Sequence, residues 1–246
     1  MTYCLAIRLR EGLVFLGDSR TNAGVDNVST YRKVHTFQPA PDRIFVLQSA
    51  GNLATTQEVL DRIHLDLEDP SAGESLATVG HLFEASLYVG RLSREVAARH
   101  HEGLAQVGAD GTATFLVGGE IAGSPPDIHL VYPEGNYIRA SDDRPFLQIG
   151  ESKYGKFTLE LGVAAHVNLT TAAKLALTSM VTTAGANLSV GPPYDLVIYR
   201  AGSFTPFEAR ITADSPFLAR LEAVWAKHLS EAIAELPAIE EGDLEL

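Results

Sequence analysis

The run Thr2-Tyr3-Cys4-Leu5-Ala6-Ile7-Arg8-Leu9-Arg10, followed by Glu11-Gly12 and Leu13-Val14-Phe15-Leu16-Gly17-Asp18-Ser19-Arg20, reads as two short strands joined by a tight turn. An antiparallel partner of this length returns the chain to where it began, so Asp18 is expected beside Thr2. Removal of Met1, usual when the next residue is small, would leave Thr2 with a hydroxyl and a free α-amine. An α-amine titrates at about pH 8, so at neutral pH part of it can accept the hydroxyl proton directly or through water. Lys33 stands early in the alternating segment Tyr31-Arg32-Lys33-Val34-His35-Thr36-Phe37. A partly buried ammonium there could face the same corner, lowering the amine's pKa and favouring the alkoxide.

Farther along, Arg43-Ile44-Phe45-Val46-Leu47-Gln48 closes a first group of strands, and Gly51 is expected to begin a helix. Apolar spacing predicts helices over 53–67 and 73–106. A second strand group covers 113–119, 128–132 and 137–139, with a turn at Pro133-Glu134-Gly135-Asn136. Helices recur over 156–161 and 170–184, and strands over 195–199 and 207–211. A helix over about 215–236 carries the stripe Phe217, Leu218, Leu221, Val224, Trp225, Leu229 and Ile233, which suits packing or subunit contact. The acidic end 237–246 reads as a solvated tail. Strand blocks separated by paired helices predict an α+β chain in which two antiparallel sheets pack face to face under outer helices. One domain spanning 1–246 is expected.

Each residue also has a plainer use on its own. Thr2 suits an ordinary strand with Met1 retained, Asp18 with Arg20 a turn cap or ion pair, Lys33 a solvated charge, and Gly51 a backbone requirement. The combination is what carries the functional reading. Terminal Thr2, the Gly17-Asp18-Ser19-Arg20 run, Lys33 and Gln48-Ser49-Ala50-Gly51 together resemble a proteasome-type β subunit, an N-terminal nucleophile hydrolase. Thr2-Tyr3-Cys4, the stretch from Gly17 through Thr21-Asn22-Ala23-Gly24-Val25-Asp26, and Ser189-Val190-Gly191-Pro192-Pro193 resemble more closely Anbu, the bacterial proteasome-related family.

That resemblance implies a four-layer αββα sandwich and a threonine peptidase acting through an acyl-enzyme within a homo-oligomer, either a ring or an open lock-washer. It implies Thr2 as nucleophile, Asp18 and Lys33 as its charged support, and Gly51 as the oxyanion donor. Supporting roles fall to Ser19, Ser152, Asn187 and Ser189. Two segments depart from the pattern of proteasome-type subunits. A Gly-Ser-Gly-like segment is replaced by Ile149-Gly150-Glu151-Ser152-Lys153, where either Ser152 or Glu151 takes the serine's place. An aspartate followed by serine and glycine is replaced by Asn187-Leu188-Ser189-Val190-Gly191, exchanging a carboxylate for an amide. The alternatives are therefore a weakly active or noncatalytic peptide-binding scaffold, or an amidohydrolase of a specialised linkage.

The formal charge of -12, from 19 Lys+Arg against 31 Asp+Glu, disfavours nucleic acid and anionic membrane surfaces as partners. With 246 residues and 46% hydrophobic content there is material for one substantial core. Cys4 is the only cysteine, which suits a reducing compartment, and no apolar run has the length of a signal peptide or membrane span. A cytoplasmic protein acting on peptides or unfolded chains is expected. The eight histidines include no HExxH, and His100 and His101 cannot readily share a ligand on one helix, so no metal is expected. Neither GxSxG nor GxxxxGK[ST] occurs, which leaves no nucleotide cofactor expected and assigns any substrate unfolding to a separate ATPase partner.

Overall fold

The computed structural model describes residues 2–22, 28–164 and 166–239. Its first sheet is built on β1 (Tyr3–Leu9) and β2 (Gly12–Asp18), paired antiparallel with Cys4 opposite Gly17. The second holds β5 (Val34–Ala40), β6 (Arg43–Gly51), β7 (Ala113–Ile121), β8 (Asp127–Val131) and β9 (Tyr137–Arg139), adjacent in chain order. β10 (Phe146–Gly150), β11 (Tyr194–Arg200) and β12 (Pro206–Ile211) complete the first sheet in the order β10-β1-β2-β11-β12. β3 (Arg20–Asn22) and β4 (Val28–Thr30) form a separate two-stranded ribbon outside the two expected sheets.

Alternation along β1 explains the layering, because side chains two apart share a face. Tyr3, Leu5 and Ile7 enter a core with α3 (Lys153–Gly162) and α4 (Leu169–Ala186), whereas Cys4 and Ala6 pack with Val34, Val46 and Leu116 between the sheets. A third core lies between the second sheet and α1 (Leu53–Glu68) and α2 (Leu82–Gln106). Three cores between four layers give the αββα sandwich. Gly17 allows the sheets to close at this point, since a Cβ there would lie 2.7 Å from Val34 Cγ2 and 2.9 Å from Cys4 Sγ.

The helix expected over 73–106 begins only at Leu82. Ser75 and Thr78 spend their hydroxyls and amides on local turns, and Glu84 accepts from the Gly80 and His81 amides at 2.7 and 3.1 Å, capping the helix there. Gly51 does not begin a helix either. It ends β6, and Asn52 caps α1 by accepting from the Thr55 amide. The last helix, α5 (Pro216–Ala234), buries Leu218 fully and packs Leu221 and Trp225 against the α4 side, but leaves Val224, Leu229 and Ile233 exposed. Residues 240–246 of the expected tail, Met1, and residues 23–26 of the Gly17-to-Asp26 stretch lie outside the described residues. Among the described residues no helix is long and apolar enough to cross a membrane.

Candidate active site

Thr2 has the parity of Cys4 and so starts the chain on the inter-sheet face, where the β5 segment crosses from the other sheet. The β1–β2 register places Tyr3 opposite Asp18, and the Tyr3 amide donates to Asp18 Oδ1 at 2.9 Å. The same oxygen accepts from Lys33 Nζ at 2.9 Å, and Lys33 Nζ also donates to the Arg20 carbonyl at 2.6 Å. Asp18 is fully buried and the Lys33 side chain only 6% exposed, so this is an ion pair withdrawn from water. Burial pushes the Asp18 carboxyl up from its usual range, while Lys33 and the Tyr3 and Gly191 amides favour the charged form.

Thr2, Lys33 and Gly51 line one cleft of about 210 Å³. Its remaining walls come from Thr21, from Tyr31, Arg32 and His35, from Ser49 and Ala50, and from the first two turns of α1. Gly51 has φ +114°, and a Cβ there would lie 2.5 Å from the Thr112 carbonyl oxygen, so glycine is required by the backbone whatever its amide does. Cys4, the one thiol nearby, is fully buried, and burial followed by the Asp18 charge raises its pKa, which removes it as a competing nucleophile.

Two further devices hold the start of β1. The buried Tyr3 hydroxyl donates to Ser179 Oγ at 2.6 Å and accepts from Gln148 Nε2 at 2.6 Å, while Ser179 donates onward to the Gly155 carbonyl. Burial pushes this phenol up to about 12, keeping it a neutral anchor. On the other side Gly150, with φ +80°, passes so close to Thr2 that a Cβ would sit 1.9 Å from the Thr2 carbonyl oxygen. That carbonyl accepts from the Glu151 amide at 2.7 Å. Gly150→Ala is therefore expected to displace Thr2, costing about 1–3 kcal/mol in backbone strain and most of any hydrolytic activity. Melting temperature and turnover of the variant check this, and unchanged turnover would contradict it.

The supporting residues divide. Ser19 is fully buried but donates to the Pro193 carbonyl at 2.7 Å, tying down the loop before β11. Glu151 is the residue bonded to Thr2; the Ser152 amide instead donates to the Gly150 carbonyl, and among the described residues no hydrogen bond of the Ser152 hydroxyl is seen. Asn187 caps the end of α4, donates from Nδ2 to Glu151 Oε2 at 3.0 Å, and accepts from the Ser189 amide at 2.9 Å. The two departures noted in the sequence thus meet one another: the carboxylate stands on the β10–α3 turn and the amide at the C-cap of α4. Gly150 and the Glu151–Asn187 pairing were not singled out from sequence as Thr2's neighbours. Among the described residues no group of three His, Cys, Asp or Glu side chains is arranged to hold a metal ion.

No protein-family model and no curated protein sequence matches the chain. Solved structures do. Anbu (ancestral beta-subunit) from Yersinia bercovieri is 42% identical with a TM-score of 0.91, over 97% of this chain and 99% of that one. The Anbu complex from Pseudomonas aeruginosa, described as a helical assembly, is 41% identical with a TM-score of 0.93, over 98% and 99%. Anbu from Hyphomicrobium sp. strain MC1 is 41% identical with a TM-score of 0.87, over 97% and 100%.

Proposed function

The chain belongs to the Anbu family of proteasome-related proteins, and from that premise we propose that it is a threonine-type endopeptidase and N-terminal nucleophile hydrolase. With Met1 removed, Thr2 Oγ attacks a peptide carbonyl, and the Thr2 α-amine, directly or through water, takes the hydroxyl proton. The tetrahedral oxyanion is received by the Gly51 amide at the end of β6. Collapse expels the leaving amine, which takes the proton back from the α-ammonium and leaves an ester on Thr2. Water activated by the same amine then releases the acyl product and regenerates the hydroxyl.

The observation that carries this reading is the withdrawn Asp18–Lys33 pair, which brings a fixed ammonium to the cleft that Thr2 and Gly51 also line. Lys33 lends positive potential to the developing alkoxide, and Asp18 orients it. Ser19 acts through the loop it holds, and Glu151, Asn187 and Ser189 order the turn against which Thr2 rests. The scaffold and specialised-amidase readings draw on the Glu151–Asn187 pair, at the two segments that depart from the proteasome-type pattern of a serine and an aspartate.

Substrates on this reading are peptides or unfolded chains. The chain works as a homo-oligomer, a reading supported by the helical assembly of the Pseudomonas aeruginosa relative; a cytoplasmic location follows from the sequence reading alone, and any unfolding is left to a separate ATPase. Hydrolysis of an unstructured peptide by the processed protein, lost on removal of the Thr2 hydroxyl, tests the proposal.

A further inference from the structure

The cleft beside Thr2 has an uneven charge. Arg32 and Lys33 stand on its wall, and among the described residues that line it there is no aspartate or glutamate. Lys33 is committed to Asp18 and the Arg20 carbonyl. His35 adds no charge at neutral pH: burial lowers its pKa, and its Nε2 lies 3.1 Å from the Arg32 carbonyl, which can only accept, so Nε2 carries the proton of the neutral ring. Arg32 is the less committed cation, standing between this cleft and a neighbouring pocket lined by Asp195, Glu208 and Arg210. Its guanidinium approaches Asp195 only to 3.9 Å, whereas Asp195 is already held by Arg210 Nη1 at 2.7 and 3.0 Å, and the Arg32 side chain is 53% exposed.

The opposite wall adds to the same sign. Leu53, Thr56 and Gln57 belong to the start of α1, which is capped by the neutral Asn52 and carries no acidic residue in its first turn, so the positive end of the helix on this wall meets no carboxylate of its own. Leu53, Leu60 and Ala50 supply an apolar lining for the methylenes of a side chain. The molecule's overall charge of -12 opposes an anionic ligand at long range. Groups inside the cleft act well within the Debye length, about 10 Å at 0.1 M salt.

We propose that this cleft selects substrates bearing a carboxylate side chain on the residue whose carbonyl is attacked, and that Arg32 is the residue that recognises it. This rests on the reading of Thr2 as nucleophile. A charge-assisted contact from a half-exposed guanidinium corresponds to about tenfold in selectivity. The test uses three fluorogenic peptides identical except for Glu, Leu or Lys at that position, assayed with the wild type, Arg32→Gln and Arg32→Glu. The wild type is expected to prefer Glu over Leu and Leu over Lys in kcat/KM. Arg32→Gln should lower the Glu peptide about tenfold while sparing the Leu peptide, and Arg32→Glu should favour Lys. A wild-type preference for Leu or Lys, or an equal loss on all three peptides, overturns the proposal. If none is hydrolysed, the peptidase reading has failed separately, and the same peptides are titrated against Thr2→Ala. Tighter binding of the Glu peptide that is lost on adding Arg32→Gln upholds the assignment of Arg32; equal binding or none overturns it.

Discussion

Thr2→Ala is expected to lower peptide hydrolysis by roughly 10³-fold or more, because it removes the attacking oxygen and leaves nothing nearby to replace it. The alternative nucleophile, Cys4, is fully buried with its pKa raised. The fold should be untouched. Thr2 is only half-buried, and its bond to the Glu151 amide uses the backbone carbonyl, which alanine retains. Thr2→Ser, which keeps both hydroxyl and amine, should preserve much of the activity. Assay of the three proteins with a peptide mixture, alongside their assembly state, checks the prediction. Equal turnover by Thr2→Ala would remove the nucleophile from the account, and poor turnover by the wild type with tight peptide binding would favour the scaffold.

Lys33→Met is expected to cost about 3–5 kcal/mol of stability, since it leaves a buried carboxylate without its counter-charge. Asp18 is fully buried and would keep only backbone partners. The double variant Asp18→Leu/Lys33→Met removes both charges and should regain much of that stability while remaining inactive, which separates the structural part of the pair from its electrostatic part. Denaturant midpoints and turnover of both variants are the measurements. An active double variant would show that the ammonium contributes nothing to the chemistry. Acid offers the same separation without mutation. Burial raises the Asp18 carboxyl, so the folded chain takes up this proton at a higher pH than the unfolded chain does. As pH falls through that raised value, Lys33 loses its partner and activity drops, while this group's contribution to folding becomes more favourable. Loss of activity should therefore precede loss of fold, and should reverse on neutralisation.

Much of the site was legible because it depends on local rules. Alternation in 3–17 set both faces of β1, a two-residue turn set the register, although it falls at Arg10-Glu11 with Gly12 already paired to Leu9 rather than at Glu11-Gly12, and that register brought Asp18 to the amide of Tyr3. Lys33 was legible as an early charge in an alternating run, although it stands just before β5 rather than within it. What escaped depends on long-range approach. β10 was not recognised, because its five residues follow the polar stretch Ser141-Asp142-Asp143-Arg144 and their place beside β1 is decided by a partner more than a hundred residues away. Gly150 looked like one glycine among 21, and only the passage of Thr2 above it makes a side chain impossible. Glu151 and Asn187 each read as a loss. Their hydrogen bond, across 36 residues of sequence, shows a rearranged pair instead. The helix over-extended into 73–81 for a different reason: its apolar spacing continues there, but Ser75, Thr78 and Glu84 satisfy the backbone locally.

Thr2 acts as proposed only if processing exposes a residue whose hydroxyl and α-amine react together. Intact mass of the purified protein before and after treatment with a peptide epoxyketone addresses it most directly, because the stable product consumes both groups of the same residue. Loss of Met1 and a single adduct per chain, absent in Thr2→Ala, are expected. A chain that has lost Met1 and takes up no adduct, or an adduct that persists in Thr2→Ala, would contradict it.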